Sequence, residues 1–191
     1  MEIKAGWLTD VRQVPTKRFG KRPVGTDISL IVIHCISLPP KKFGGPYVDD
    51  IFIGCLNPNA DPYFKDVAKL EVSTHLFINR KGIITQYVSF LDRAWHAGRS
   101  SYNDHKECND YSIGIELEGS DDSEYTNEQY ASLKEVVALL KKTYPSIGNN
   151  IAGHNEVAPT RKTDPGPFFD WSSIRYSKDH LTYGKLPSRI F

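Results

Sequence analysis

Long apolar runs are missing from these 191 residues. A helix that crosses a bilayer needs about 20 mostly apolar residues in a row, and no stretch comes near that. The opening MEIKAGWLTDVRQV carries Glu2, Lys4 and Asp10 where a secretory signal needs an apolar segment. The expectation is therefore a cytoplasmic protein with no membrane partner. An excess of either charge is also missing. The chain has 24 Lys and Arg against 23 Asp and Glu, a net +1. Nothing in that balance argues for nucleic acid or an acidic membrane as a partner. The basic pairs Lys41-Lys42 and Lys141-Lys142 are short and read as solvated surface. Cysteine is scarce. Cys35, Cys55 and Cys108 are odd in number and lack zinc-knuckle spacing, so they are expected as free thiols in a reducing compartment. Cys35 adjoins His34 and could act as nucleophile or ligand, but no base motif accompanies it and a structural role is the better reading. There is no internal repeat, no low-complexity tract and no sign of an obligate protein partner.

What is present is an ordinary mixture, 39% apolar and 25% charged, at a length that suits one domain with a sizeable core. That domain is expected to span residues 1–191, with a long loop insertion at 36–66 and an irregular tail at 177–191. Residues 1–27 read as an irregular lead-in that packs Trp7 and Val11 on the body. Residues 28–35 (ISLIVIHC) are a β-branched run suited to a central strand, with Leu30, Val32 and His34 on one face and Ile31 and Ile33 on the other. Residues 36–66 are rich in Pro and Gly, hold a short helix near Val48–Leu56, and carry Phe43, Tyr47, Phe52, Tyr63 and Phe64. That content predicts an ordered cover over a groove. Two strands, 72–79 and 83–88, flank the turn Arg80-Lys81-Gly82. Residues 111–118 alternate, with Ile113, Ile115 and Leu117 on one side and Ser112, Gly114, Glu116 and Glu118 on the other. Gly114 in mid-strand lets something approach the backbone closely. Residues 126–144 form the clearest helix, opened by Thr126 and Gln129 at capping-box spacing and stopped by Pro145. A short strand at 150–153 delivers His154, and a last helical turn is expected near 172–176.

The stretch Gly153–Trp171 (GHNEVAPTRKTDPGPFFDW) is a shaped loop, because its prolines and glycines suit neither helix nor long strand. It presents His154, Lys162 and Asp164. With His34 these supply two nitrogens and one oxygen, enough for a zinc that keeps an open position. The spacing alone leaves this open, since His34 is also an ordinary strand-end histidine and Asp164 an ordinary turn acceptor. Glu116, on the polar face of a central strand, is the candidate general base; alone it would read as a surface glutamate. Lys162 could hold a developing oxyanion, or simply face water. Trp95 offers a flat platform for a sugar or a core aromatic. His75 reads more simply as a hydrogen-bonded sheet histidine than as a ligand.

Six motifs together carry a resemblance. They are Ile31-Val32-Ile33-His34, Gly44-Gly45-Pro46, Ala94-Trp95-His96-Ala97-Gly98, the run from Cys108 to Gly119 (CNDYSIGIELEG), Gly153-His154, and Arg161-Lys162-Thr163-Asp164-Pro165-Gly166-Pro167. In order along roughly residues 5–175 they resemble the zinc N-acetylmuramoyl-L-alanine amidases, the family of phage T7 lysozyme and the peptidoglycan recognition proteins. The resemblance implies an α/β fold, a central mixed β-sheet flanked by helices. It implies Zn2+ held by His34, His154 and Asp164, with Glu116 as base and Lys162 at the oxyanion. Tyr63, Trp95, His96 and Asn109 are the candidates for touching substrate. The aspartate in the third ligand position, where the T7 lysozyme branch has cysteine, implies the branch that cleaves soluble 1,6-anhydro-muropeptides between N-acetylmuramic acid and L-alanine during cell-wall recycling. Members of that branch carry arginines near positions 71 and 107, where this chain has Glu71 and Glu107, and an asparagine where it has Cys35. Arg80, Arg99 and Arg161 are the alternative partners for stem-peptide carboxylates. Two competing readings are an exported amidase acting on intact peptidoglycan, disfavoured by the absent signal, and a binding module without turnover, disfavoured by the complete ligand and base set.

Overall fold

Six strands build the central sheet of the computed structural model, which describes residues 1–175. They are β1 (Arg12–Gln13), β2 (Leu30–Ile36), β3 (Leu76–Ile78), β4 (Ile84–Gln86), β5 (Ser112–Glu118) and β6 (Ile151–Gly153). Their order across the sheet is β6-β2-β5-β3-β4-β1. All neighbours run parallel except the hairpin β3–β4, so the sheet is mixed, as expected. The long strands β2 and β5 lie side by side in the interior of the sheet and are covered on both faces, which is what a parallel arrangement of β-branched residues requires.

One face carries the main core. Ile31 and Ile33 of β2 and Ile113, Ile115 and Leu117 of β5 pack against Leu133, Val136, Val137 and Leu140 of the helix Asn127–Thr143. Thr126 and Gln129 form the capping box at its start, each side chain bonding the other's backbone N–H. Gln129 is fully buried, because its amide also donates to the carbonyls of Ile78 and Glu118 and thereby ties the helix to the sheet. The opposite face carries Leu30, Val32, His34, Glu116 and Glu118, and it is partly covered by the 36–66 insertion.

That insertion holds two short helices, Tyr47–Ile53 and Phe64–Val67, the second of which has no signal in the sequence pattern. Their residues Val48, Ile51, Phe52 and Phe64 form a separate core with Leu38, Phe77 and Tyr87. Glu118 fastens the cover, accepting from the backbone N–H groups of Gly44 and Arg80, while the Arg80 guanidinium lies over the Phe43 ring at 4.9 Å.

Other expectations need correction. The lead-in is anchored by buried Leu8, not Trp7, and it contributes the edge strand β1. Val11 does pack against the core. The hairpin strands are shorter than their apolar pattern, and His75 falls just before β3. The turn near 172–176 is a single 3-10 turn over Trp171–Ser173, and the tail 177–191 lies outside the described residues.

Candidate functional site

The parallel register assembles the site. Glu116 of β5 pairs directly with His34 of β2, and Gly153 of β6 pairs with Ile33. The C-terminal halves of β2 and β5 and the residue after β6 therefore bring His34, Glu116 and His154 together on the carboxyl-end side of the sheet, where open parallel sheets leave room for ligands. His154 leaves β6 on a turn closed by Glu156, whose carboxylate accepts from the Gly153 N–H at 2.7 Å. Gly153 has no room for a side chain, since a Cβ there would lie 2.9 Å from Pro165 Cδ. The loop that follows carries Asp164 back over the strand end. It is held by the Asn155 N–H on the Asp164 carbonyl at 2.9 Å and by the Tyr125 hydroxyl on the Pro165 carbonyl at 2.7 Å. Thr163 adds a bond to Asp121.

The three residues converge tightly. His34 Nδ1 lies 2.9 Å from His154 Nδ1 and 3.2 Å from Asp164 Oδ2, and His154 Nδ1 lies 3.1 Å from the same oxygen. His154 Nε2 lies 3.2 Å from the carbonyl oxygen of Ala97. A carbonyl only accepts, so the ring proton of neutral His154 is on Nε2 and its Nδ1 is a bare acceptor. Asp164, ionised, also only accepts. Two acceptors 3.1 Å apart have no proton to share, and a cation between them removes the conflict. Ligands about 2.0 Å from a tetrahedral zinc stand about 3.3 Å from one another, close to the separations found here. The donor set of two imidazoles and one carboxylate therefore fits a zinc-type divalent ion.

Electrostatics point the same way. Burial, and then the neighbouring His154, push the His34 pKa down to about 4, so its imidazole is neutral. Burial opposes the charge on Asp164, but protonated imidazoles at His154 and His34 would more than offset this and hold the carboxyl below its usual range. A divalent cation supplies that positive charge without imidazole protons.

Glu116 is 8% exposed, and its Oε2 has no hydrogen-bond partner among the described residues. Burial, and then the charge of Asp164, raise its pKa well above the ordinary carboxylate value, while Lys162 pulls it down. Lys162 is exposed on the Asp164 loop, and its ammonium makes no salt bridge or hydrogen bond among the described residues. Both line a cavity of about 460 Å³ together with His34, His154 and Asp164.

Tyr63, Trp95 and His96 also line this cavity. Tyr63 stands on the cover side, 47% exposed. His96 is different, because both of its ring nitrogens are engaged inside the protein, Nδ1 with His34 Nε2 at 2.9 Å and Nε2 with Ser112 Oγ at 3.2 Å. Asn109 is not in the lining. Its side-chain oxygen accepts from the backbone N–H groups of His96 and Ala97, so it shapes the loop and does not face the cavity. His75 is likewise structural, with Nδ1 accepting from the Gly114 N–H at 3.0 Å. Cys35 borders the cavity, but burial pushes its thiol far up, and its sulfur faces Asp121 at 3.5 Å. All three cysteines are free.

Lys162 is the sole Lys or Arg in the described lining. Arg161 is spent on the carbonyls of Ala97 and Arg99, and Arg80 on those of Glu118 and Glu124. Glu107 faces Arg93 at 3.7 Å. Sequence reading overlooked Ser73, Val67, Leu70, Val72 and Asp121 in the lining. No motif marks them, since only the folding of the insertion against β3 and of the Asp164 loop against residues 119–121 brings them there.

Comparison with known proteins follows the same line. A family model described as N-acetylmuramoyl-L-alanine amidase matches residues 24–167. The chain is 53% identical over 175 residues to the 1,6-anhydro-N-acetylmuramyl-L-alanine amidase AmpD of Citrobacter freundii, covering 92% of this chain and 94% of that protein. Among solved structures it is similar to a crystal structure of a selenomethionine AmpD derivative, with a TM-score of 0.89 and 52% identity over 91% of this chain and 97% of the other. It is also similar to the amidase AmiD of Escherichia coli in complex with the substrate anhydro-N-acetylmuramic acid-L-Ala-D-gamma-Glu-L-Lys. There the TM-score is 0.56 and the identity 26%, over 81% of this chain and 59% of that one.

Proposed function

This chain belongs to the N-acetylmuramoyl-L-alanine amidase family, and we propose that it hydrolyses the amide joining 1,6-anhydro-N-acetylmuramic acid to L-alanine in soluble muropeptides. The observation that carries this reading is the meeting of three potential ligand atoms, at separations of 2.9 to 3.2 Å, in one cavity with Glu116, whose Oε2 has no hydrogen-bond partner among the described residues. The cofactor this reading calls for is Zn2+, which His34, His154 and Asp164 would hold. When bound it supplies Lewis acidity at the carbonyl and lowers the pKa of water to about 7.

The protein's own groups do the rest. Glu116 is the general base. Its raised proton affinity suits it to take a proton from the attacking water and later return it to the alanine nitrogen as the C–N bond breaks. Lys162, without an ion-pair partner among the described residues, places an ammonium next to the oxygen that gains negative charge. Trp95 and Tyr63 give apolar surface to the sugar and peptide at the cavity wall. The neutral state of His34 leaves it ready as a ligand without first losing a proton.

The reading places the enzyme in the cytoplasm, in cell-wall recycling. No helix among the described residues is long and apolar enough to cross a membrane. Mass spectrometry of anhydro-muramyl-tripeptide after incubation tests the activity. Release of free peptide that stops with a chelator and returns with zinc is expected. An enzyme that leaves this compound intact but digests isolated sacculi belongs to the exported class instead, and one that binds both and cleaves neither is a binding module.

A further inference from the structure

His34 points Nδ1 at Asp164 and His154 and turns Nε2 toward His96 Nδ1, 2.9 Å away. A second histidine is an ambiguous partner, because either nitrogen of a neutral ring can carry the proton. The ambiguity is resolved one step further out. His96 Nε2 lies 3.2 Å from Ser112 Oγ, and that oxygen lies 2.5 Å from the carbonyl oxygen of Cys108. Two oxygens so close need a proton between them, and the carbonyl has none, so Ser112 donates to Cys108. The one hydroxyl proton is then committed, and Ser112 must accept from His96 Nε2–H. His96 Nδ1 is therefore bare and accepts from His34 Nε2–H. That leaves His34 Nδ1 without a proton, facing Asp164 and His154.

We propose that the chain Cys108 carbonyl–Ser112–His96 is a positioning device that locks His34 in the tautomer with a bare Nδ1. His96 is thereby a positioning residue and not a contact for substrate. The ring itself is held from three sides. Its backbone N–H donates to Asn109, its two nitrogens are engaged as above, and it lies on the bare backbone of Gly114. Both rings are buried, so each nitrogen depends on the partner the protein gives it. His154 needs no such relay, because a carbonyl already fixes its proton. The consequence for metal affinity rests on the zinc reading above; the tautomer itself does not.

The test uses the full chain with 15N-labelled histidine and two variants of similar size, His96→Leu and His96→Asn. The amide oxygen of asparagine can stand where Nδ1 stood, and leucine offers no acceptor. Long-range 1H–15N correlation spectra of the metal-free protein read the His34 tautomer, and competition with a chelating dye reads the zinc Kd. Wild type is expected to show the Nε2–H form alone. His96→Leu should show both tautomers and a zinc Kd raised about 10–100-fold, the usual effect of removing the partner behind a ligand histidine. His96→Asn should recover most of that loss. A His96→Leu protein with the wild-type tautomer and Kd overturns the proposal, as does a folded His96→Asn protein no better than the leucine variant. If neither variant folds, Ser112→Ala decides, since it frees the His96 proton while leaving the ring; an unchanged His34 spectrum then overturns the proposal. A wild type that binds no zinc sinks the metal reading, and the spectra still decide the tautomer.

Discussion

A methyl group added to Gly114 would lie 2.6 Å from Cδ2 and 2.7 Å from Nδ1 of His96, and closer still to its Cγ. The mid-strand gap in β5 and the imidazole that fills it form one fit. The ring rests on bare backbone, and from there its Nδ1 reaches His34.

Gly114→Ala is expected to destabilise the metal-free protein by about 1–3 kcal/mol through overpacking. Alanine in place of a strand glycine ordinarily gains about 0.5–1 kcal/mol, so the sign itself is informative. Zinc affinity should fall with it, because the displaced ring no longer meets His34. Urea unfolding and zinc competition measure both, and a variant more stable than wild type would show that the ring has room to move.

Glu116→Gln should keep zinc and lose turnover by about 10²–10⁴-fold, the range for removing a general base. Metal analysis beside a kcat measurement separates the two roles. Wild-type turnover would remove Glu116 from the mechanism.

Lys162→Ala should lower kcat by about 10²–10³-fold, the range for losing a donor at a developing oxyanion. The side chain is exposed, so stability should shift by no more than about 0.5 kcal/mol. A change confined to KM would make Lys162 a substrate contact and nothing more.

Asp164→Asn removes the one negative charge of the ligand set. Zinc Kd should rise by more than the ~100-fold upper figure for a partner behind a ligand. Full zinc occupancy after dialysis against a weak chelator would exclude Asp164 from the set.

Metal-free stability should fall as pH drops below about 6.5, the ordinary histidine value. His34, His75 and His96 are all held below it, chiefly by burial. The unfolded chain therefore binds protons that the folded one refuses, and the stability present above that pH is lost on the way down. Each such proton is worth about 1.4 kcal/mol per pH unit. Glu116 works in the opposite sense. Its raised pKa makes the folded state the proton binder above the ordinary glutamate value, so its carboxylate costs stability as pH rises. Glu116→Gln should consequently stabilise the metal-free protein near pH 7 and steepen its loss of stability on acidification. Denaturant midpoints across pH 4–8 measure the slope, and parallel curves for the two proteins would contradict the raised pKa.

Local rules made much of this legible in advance. Alternation in residues 30–34 and 112–118 assigned faces that the packing bears out, because the side-chain period of a strand is a property of the backbone alone. Thr126 and Gln129 marked a helix start for the same reason, since a capping box involves neighbours in sequence. The short helix Phe64–Val67 and the edge strand Arg12–Gln13 escaped notice because neither is long enough to show a period. Asn109 sits in a motif with Glu116 but serves the loop before it, a distinction that hydrogen-bond geometry alone reveals.

The sequence by itself determined which residue types were available: two imidazoles, a carboxylate and a lysine on or beside rigid stretches, and a glutamate on a polar strand face. The tertiary structure decided which of them meet. Parallel pairing of three strands set Glu116 beside His34 and His154 one residue beyond Gly153, a matter of register between segments far apart in sequence. Where each ring proton sits was also decided there, since a tautomer depends on the partner at the other nitrogen, and that partner comes from elsewhere in the chain.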